Sequence, residues 1–465
     1  MERQQGETGS DTHLELVEGF PDLLDLHTLN PARYPFLLES VAHGTTEARF
    51  DILFAFPQST LTLGNNYTLK SSDHELNGHD FLDNLDSWWK TSAVQVCDDI
   101  ELPFQGGWFL YLGYELAAQV EPGLKLPESN RDSVIASATR IPAAVIRDHV
   151  TQRCWIVCEN NFKTVLADIR SDLDLAKDQG APGSNTVEVE TILEDEDQRY
   201  LDAVEKIRDY IIEGDVFQVN LSRRWTTQTD CDNNILYRSL RENNPAPFAG
   251  IANLQGMTVM SSSPERLVSV KGNSVDTRPI AGTRPRGSKL ATDQQLSGEL
   301  LAHPKERAEH IMLIDLERND LGRVCIPGSI EVNELMVLES YAHVHHIVSN
   351  VRGTLRKEIS PGQVIRAVFP GGTITGCPKV RCMEIIAELE QTARGAYTGS
   401  MGYLNHNGDM DLNILIRTMT RKANTITLRA GAGIVADSVA ENELSESRDK
   451  AKGLLRALGV GKDAS

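Results

Sequence analysis

The last quarter of the chain carries the pattern that most restricts its fold. Asn405-His406-Asn407-Gly408 joins two strand-like runs and has the composition of a hairpin turn. Strand-like sequence continues over 411–419 and 425–435, and a helix follows from about 438. Elsewhere strands and helices are interspersed without regular βαβ alternation. That pattern selects an α+β fold with packed sheets over a doubly wound parallel one.

Length bounds the organisation. With 465 residues the chain can bury a large core and has room for two or more domains. Residues 1–15 read as a loose polar tail, 16–178 as a mixed α/β N-terminal region and 196–460 as the C-terminal region. Between them lies a linker, 179–195, marked by Gln179-Gly180-Ala181-Pro182-Gly183-Ser184-Asn185. A helix is expected after Glu194-Asp195-Glu196-Asp197. Leu201, Val204, Ile207 and Ile211 form its apolar stripe and Gly214 ends it.

The formal net charge of -20 argues against nucleic acid or an anionic membrane as a general partner. The N-terminus, Met1-Glu2-Arg3-Gln4-Gln5-Gly6-Glu7, shows no apolar segment of a secretory signal, and no apolar run is long enough to span a bilayer. Seven cysteines, an odd number, fit reduced thiols and a cytoplasmic location. Cys154 and Cys158 flank Trp-Ile-Val in a strand-like run and read as small buried hydrophobes rather than metal ligands.

Against this acidic background, residues 278–287 stand out: Arg-Pro-Ile-Ala-Gly-Thr-Arg-Pro-Arg-Gly. Pro fixes φ and Gly permits conformations that other residues avoid, so the backbone here is shaped. Arginines on such a loop suit a small carboxylate or phosphate. Ala281 at its centre has no reactive atom.

Other segments carry chemistry with less certain meaning. In a strand over 216–222, Phe217, Val219 and Leu221 share one face and Gln218, Asn220 and Ser222 the other. Taken alone, that polar face is expected to be solvated. Glu306 and Glu309 share one helix face, as do Glu443, Glu446 and Lys450. A solvated helix face has the same spacing; so does a Mg²⁺ site that takes carboxylates from two helices. Gly371-Gly372-Thr373-Ile374-Thr375-Gly376-Cys377-Pro378-Lys379 feeds a helix over 380–390 and can offer free N–H groups to an anion. It lacks the endings of a Walker A loop or a dinucleotide fingerprint. In Tyr341-Ala342-His343-Val344-His345-His346, strand alternation leaves at most one histidine facing a site.

Taken in order, these segments resemble the chorismate-utilising enzymes. The resemblance rests on Gly214-Asp215-Val216-Phe217-Gln218-Val219-Asn220-Leu221, Ser263-Pro264-Glu265, the 278–287 loop and 306–323. It continues through His345-His346-Ile347-Val348-Ser349, 369–390, Ile416-Arg417-Thr418 and Gly431-Ala432-Gly433-Ile434-Val435-Ala436-Asp437-Ser438. Phe36-Leu37-Leu38-Glu39-Ser40 and Phe104-Gln105-Gly106-Gly107 match more loosely. The resemblance implies two packed, mainly antiparallel β-sheets surrounded by helices, a chorismate site and a Mg²⁺ cofactor. It implies Glu309 and Glu446 as metal ligands with Glu306 and Glu443 close behind. Arg417 would pair with a substrate carboxylate, Tyr403 and Lys450 would contact the substrate, and Thr375-Gly376 and Gly431–Gly433 would supply N–H donors. His346 would face the ring and Glu265 would be the acid at the leaving hydroxyl, with Thr283 among the catalytic group.

Gln218 narrows the reaction within the family. Relatives that add water resemble one another in having lysine there as a base, whereas ammonia needs none. Two ammonia users remain. Ala281 resembles the anthranilate synthases, in place of the lysine usual in aminodeoxychorismate synthases. Gln218-Val219-Asn220-Leu221, Gly371-Gly372-Thr373-Ile374-Thr375-Gly376 and Asp411-Leu412-Asn413-Ile414 resemble the aminodeoxychorismate group, and this is the favoured reading. No Cys/His/Glu glutaminase set is evident, so a separate glutamine amidotransferase subunit is expected as partner. Leu38, Glu39 and Ser40 resemble a tryptophan-binding segment; a buried strand with a capped end fits them equally. A non-catalytic amino-acid sensor of the same fold is the rival, and the retained Glu265, His346, Arg417 and carboxylate pairs count against it.

Overall fold

The computed structural model describes residues 11–42, 48–73, 75–92, 101–128, 133–178, 187–286, 298–300, 304–340 and 344–460. Two large sheets dominate. The first, of 12 strands, runs Thr12–Val17, Arg153–Glu159, Ala143–Asp148, Phe50–Ala55, Phe36–Glu39, Phe248–Leu254, Met257–Ser263, Thr418–Lys422, Thr425–Ile434, Gln218–Gln228 and Leu193–Glu194, with Gly376–Cys377 added beside Gln218. The second, of 11 strands, runs from Ile280–Pro285 through Val344–Thr354, Ser274–Thr277, Arg266–Lys271, Met410–Asn413, Ser400–Asn405 and Gly107–Leu112 to Leu69–Ser71. The pairings described are antiparallel throughout, and the expected α+β architecture of packed sheets is the one observed. Each sheet is continuous across strands from the two halves of the sequence.

Apolar faces hold the layers together. Phe36 of the first sheet stacks on Phe109 of the second at 4.0 Å between centroids, with Phe54, Ile146 and Met401 around them. Such an aromatic pair adds roughly 0.5–1.5 kcal/mol beyond the area it buries. The outer faces are covered by helices: Phe81–Thr91 and Pro361–Val368 on the second sheet, Asn233–Asn243 and Ala440–Ala457 on the first. The helix Asp197–Ile212 buries Val204 and Ile207 as its stripe requires, and Gly214 follows with φ 85°.

Several expectations shift. Thr12–Val17 is an edge strand paired with Arg153–Glu159 rather than loose tail; its alternation is hidden because Leu16 faces solvent, 55% exposed. Residues 1–10 and 179–186 lie outside the described residues. The rest of the expected linker runs along the first sheet, where Leu193–Glu194 pairs with Thr226 and Trp225. The strand expected over 216–222 begins at Gln218, and Phe217 is 66% exposed instead of buried with Val219 and Leu221. The polar face of that strand is buried instead of solvated, with Gln218 7% and Ser222 6% exposed. Groups from distant segments meet it: Ser222 Oγ donates to Glu390 Oε1 at 2.8 Å and Asn220 Nδ2 to the Thr373 carbonyl at 3.5 Å, while Gly376–Cys377 pairs at the strand's edge, where Phe217 N–H donates to the Cys377 carbonyl at 2.8 Å. The hairpin at 405–408 forms as expected, with Gly408 at φ 91°.

Candidate active site

Strand ends of both sheets and the glycine-rich turn gather the polar residues singled out above. Glu265 follows Met257–Ser263 and is 4% exposed. Its backbone is pinned, since Ser263 Oγ accepts its N–H at 3.2 Å and its carbonyl accepts Ile414 N–H at 3.0 Å. Its carboxylate accepts Ile280 N–H at 3.4 Å. Burial pushes the Glu265 carboxyl up to about 7, although Thr373, the Ile280 N–H and the Lys450 charge pull the other way. A carboxyl neutral near pH 7 can donate a proton.

His346 lies on Val344–Thr354 opposite Thr283 and is 6% exposed. Burial, helped by the Arg417 charge, lowers its imidazole to about 4, so the ring is neutral at physiological pH. His345 points to the opposite face, where its Nδ1 meets Ser340 Oγ at 2.7 Å. The alternation expected for the histidines therefore holds, while His343 lies outside the described residues. So does the side chain of Thr283, whose backbone continues the strand Ile280–Pro285.

Arg417 sits where the chain leaves Met410–Asn413 for Thr418–Lys422, in a left-handed conformation with φ 52°. Its guanidinium donates to the Lys450 carbonyl and its own carbonyl accepts Ser262 N–H at 3.1 Å. Burial lowers its pKa, with Tyr397 and Glu446 opposing. Lys450 in turn pairs with Glu446 at 2.7 Å, one helical turn away.

Close backbone approaches shape the other wall. A Cβ on Gly376 would lie 2.0 Å from the Gln218 carbonyl, and one on Gly431 would lie 2.1 Å from the Leu221 carbonyl. Thr375 is fully buried and spends its hydroxyl on the Gly371 carbonyl at 2.8 Å, which closes the turn. Gln218 lays its amide over Gly433, while its Oε1 is buried with no hydrogen-bond partner among the described residues. Such an orphaned acceptor is costly in a folded interior and waits for a donor.

One arginine of the basic loop has a use other than the expected one. Arg278 is committed to Glu334 at 2.7 Å and Glu339 at 2.5 Å, so it does not serve an anion. Gly287 is outside the described residues. Gly282, at φ 75°, lets Glu306 come close: a Cβ there would meet Glu306 Oε2 at 2.8 Å. Ala281 is 8% exposed and faces Ile347 across the strand pair.

The four glutamates are arranged as two pairs. Glu306 and Glu309 lie half-buried on Pro304–Gly322; Glu443 is buried and Glu446 exposed on Ala440–Ala457. Carboxylate oxygens are the donors Mg²⁺ prefers. Yet among the described residues no three His, Cys, Asp or Glu side chains are gathered closely enough to hold an ion, and Glu446 is engaged by Lys450. The donor chemistry fits but the two pairs do not form one cage.

Two residues assigned by sequence lie elsewhere. Tyr403 packs its ring near Phe54 and Phe104 and lines a separate cavity of about 430 Å³ with Leu38, Ser40 and Phe248. It is not beside Arg417. The tyrosine that bears on the ionisation of Arg417 is Tyr397, 7% exposed, with the Arg394 guanidinium 5.5 Å from its ring centroid. Sequence reasoning passed over Tyr397 because nothing local separates it from Tyr403, six residues on. Glu39 reaches the separate cavity only by its position in the strand. Its carboxylate points the other way, accepting Tyr237 Oη at 2.7 Å and Arg241 Nη1 at 2.9 Å. Ser40 Oγ is engaged by the Phe50 and Pro247 carbonyls at 3.1 and 3.2 Å.

A buried neutral acid, a neutral imidazole, an arginine and an orphaned amide on this scaffold agree with what comparison with known proteins finds. The profile of the chorismate binding enzymes matches residues 36–456. The chain belongs to the chorismate-binding enzyme family. It is 40% identical over 445 residues to "Aminodeoxychorismate synthase component 1" of Bacillus subtilis, covering 93% of both chains. It is 46% identical over 367 residues to "Anthranilate synthase component I-like protein" of Synechocystis sp., covering 77% of this chain and 73% of that one. The crystal structure of anthranilate synthase component I from Streptococcus pneumoniae superposes with a TM-score of 0.76 at 32% identity, covering 89% and 93% of the two chains. This chorismate-utilising enzyme has, among its described residues, no helix long and apolar enough to cross a membrane.

Proposed function

We propose that the chain is aminodeoxychorismate synthase component I. It aminates chorismate to 4-amino-4-deoxychorismate with ammonia delivered by a separate glutamine amidotransferase subunit. The observation that carries this reading is Gln218. At the buried wall over Gly433 stands a neutral amide, which cannot act as a base. Water as nucleophile would need a base there; ammonia already has a lone pair and does not. The Gln218 Oε1, without a partner among the described residues, is an acceptor for an N–H.

In this reading Glu265 gives its proton to the C4 hydroxyl as the C–O bond breaks and water leaves. The nitrogen bonds to the ring and sheds a proton to solvent. Arg417 pairs with a substrate carboxylate, and the neutral His346 donates or accepts a hydrogen bond at the ring without adding charge. Tyr397 is the aromatic residue beside Arg417, in the role first given to Tyr403. Thr283, Thr375, Gly376, Gly431 and Gly433 shape the walls, and Lys450 orients Arg417 and Glu446. Glu309 and Glu446, with Glu306 and Glu443 close behind, have the oxygen donors that would hold Mg²⁺ if the two pairs were drawn together around it and Glu446 left Lys450; the ion would supply positive charge to anchor a substrate carboxylate.

Ala281 favours a second reading, anthranilate synthase component I. An alanine at the ring leaves C2 open to ammonia, with pyruvate lost afterwards. The identity of the product formed from chorismate and ammonium salt tests one against the other. The cavity beside Leu38 and Ser40 is the proposed seat of a bound amino acid such as tryptophan. Arg266 and Asp411, paired at 2.8 Å in its wall, offer both charges to a zwitterion.

A further inference from the structure

Between the strand of Gln218 and the glycine-rich turn lies a buried cation that the proposed reaction leaves unused. Arg394, 4% exposed, follows the helix Lys379–Glu390 and folds back onto its last residue. Arg394 Nε donates to Glu390 Oε2 at 3.0 Å and Nη2 donates to Glu390 Oε1 at 2.6 Å. The same guanidinium also reaches backbone. Nη2 donates to the Asn220 carbonyl at 2.7 Å and Nη1 to the Ile374 carbonyl at 3.2 Å, with Thr398 Oγ1 a further acceptor at 3.3 Å.

Those two carbonyls belong to different walls of the site. Asn220 lies two residues after Gln218 on the strand Gln218–Gln228, and Ile374 ends the 3-10 turn Gly372–Ile374 that leads into Thr375-Gly376. The walls are already joined on one side: Gln218 and Val219 pair with Cys377 and Gly376, and Asn220 N–H donates to the Thr375 carbonyl at 2.9 Å. Arg394 completes the joint. One planar, rigid guanidinium takes a carbonyl from each wall and thereby fixes their separation.

A second arginine provides the contrast. Arg429 is also 4% exposed and donates Nη2 to Glu390 Oε2 at 2.7 Å. Its other bonds go to side chains, Ser222 Oγ and Thr392 Oγ1, both at 3.1 Å. The two arginines thus match in burial and in charge partner. They differ in what else they hold, and of the two it is Arg394 that grips the backbone of the site.

We propose that Arg394 is a positioning residue for Gln218. Anchored on Glu390, it sets the spacing between the Gln218 strand and the glycine-rich turn, and so places the Gln218 amide for the incoming nitrogen. This inference rests on the proposed place of Gln218 at that nitrogen.

The test compares Arg394→Gln with Arg429→Gln in the full chain. Each variant leaves the other arginine on Glu390, so neither strands a buried charge. Chorismate consumption is followed with Mg²⁺, at saturating chorismate, over a range of ammonium salt. For Arg394→Gln, kcat/KM for ammonium should fall by roughly 10–100-fold, as when a reacting partner is displaced by about 1 Å. For Arg429→Gln it should stay near the wild-type value, although the melting temperature falls by a comparable amount. An Arg394→Gln protein with the wild-type value, or one impaired no more than Arg429→Gln, overturns the inference. Gln218→Leu then separates the two claims: a fall in kcat/KM for ammonium leaves the role of Gln218 standing, and no fall removes both. If either glutamine variant does not fold, Arg394→Lys and Arg429→Lys are compared in the same way. An ammonium keeps the charge on Glu390 but lacks the fork that spans two carbonyls, so the same contrast is expected and its absence overturns the proposal.

Discussion

The Gln218 side chain reaches diagonally over Gly433 on the neighbouring strand, leaving no space for a methyl group there. A Cβ on Gly433 would lie 2.3 Å from Gln218 Nε2. The obstacle is the tip of a flexible side chain, so Gly433→Ala should fold and displace the amide. Expected is a loss of roughly 10–100-fold in kcat/KM for ammonium, the scale of a small misplacement in a preorganised site. Gly431→Ala meets the Leu221 carbonyl at 2.1 Å, which is backbone and cannot swing away. It should instead destabilise the fold by about 1–3 kcal/mol or more. Steady-state kinetics and denaturant unfolding of both variants check the contrast; equal behaviour would contradict it.

Replacing the amide tests its chemistry. Gln218→Lys introduces a base beside the ring, so a fraction of turnover should add water instead of ammonia. Mass analysis of products from chorismate and Mg²⁺, with and without ammonium, reads this directly. An unchanged product distribution would remove Gln218 from the choice of nucleophile.

Much of this site is legible in the sequence, because short motifs carry it: Ser263-Pro264-Glu265, His345-His346, Ile416-Arg417-Thr418 and the two glycine runs. What the motifs leave out is set by packing between distant elements. The polar face expected over 216–222 reads as solvated until Glu390 and the Thr373 carbonyl are seen to meet it. Tyr397 and Tyr403 are alike locally, and only the third dimension puts one near Arg417 and the other in a different cavity. Arg278 looks free until Glu334 and Glu339, far along the chain, arrive beside it.

The Glu265 carboxyl makes a stability prediction with a definite sign. Its pKa rises from 4.5 to about 7 on folding, driven by burial. The folded state therefore holds the proton more tightly. The associated stability is complete below about pH 4.5 and is lost as pH rises through 7. Glu265→Gln removes this penalty. Relative to wild type it should be equally stable near pH 4 and more stable at pH 8 by roughly 3 kcal/mol, while turnover disappears. Urea unfolding at the two pH values decides; a variant no more stable at pH 8 would show that Glu265 is not held neutral.

Metal dependence tests the carboxylate pairs. Glu309→Gln and Glu446→Gln should each abolish Mg²⁺-dependent turnover with the melting temperature of the metal-free chain nearly unchanged, since neither side chain is buried. Turnover retained in either variant at saturating Mg²⁺ would remove that residue from the proposed metal site.

The central claim concerns the product. The purified chain is incubated with chorismate, Mg²⁺ and ammonium salt, followed by fluorescence and by chromatography before and after an aminodeoxychorismate lyase is added. Expected is a non-fluorescent amino product that becomes 4-aminobenzoate only once the lyase is present. Direct release of fluorescent anthranilate together with pyruvate would contradict the claim and assign the role to Ala281.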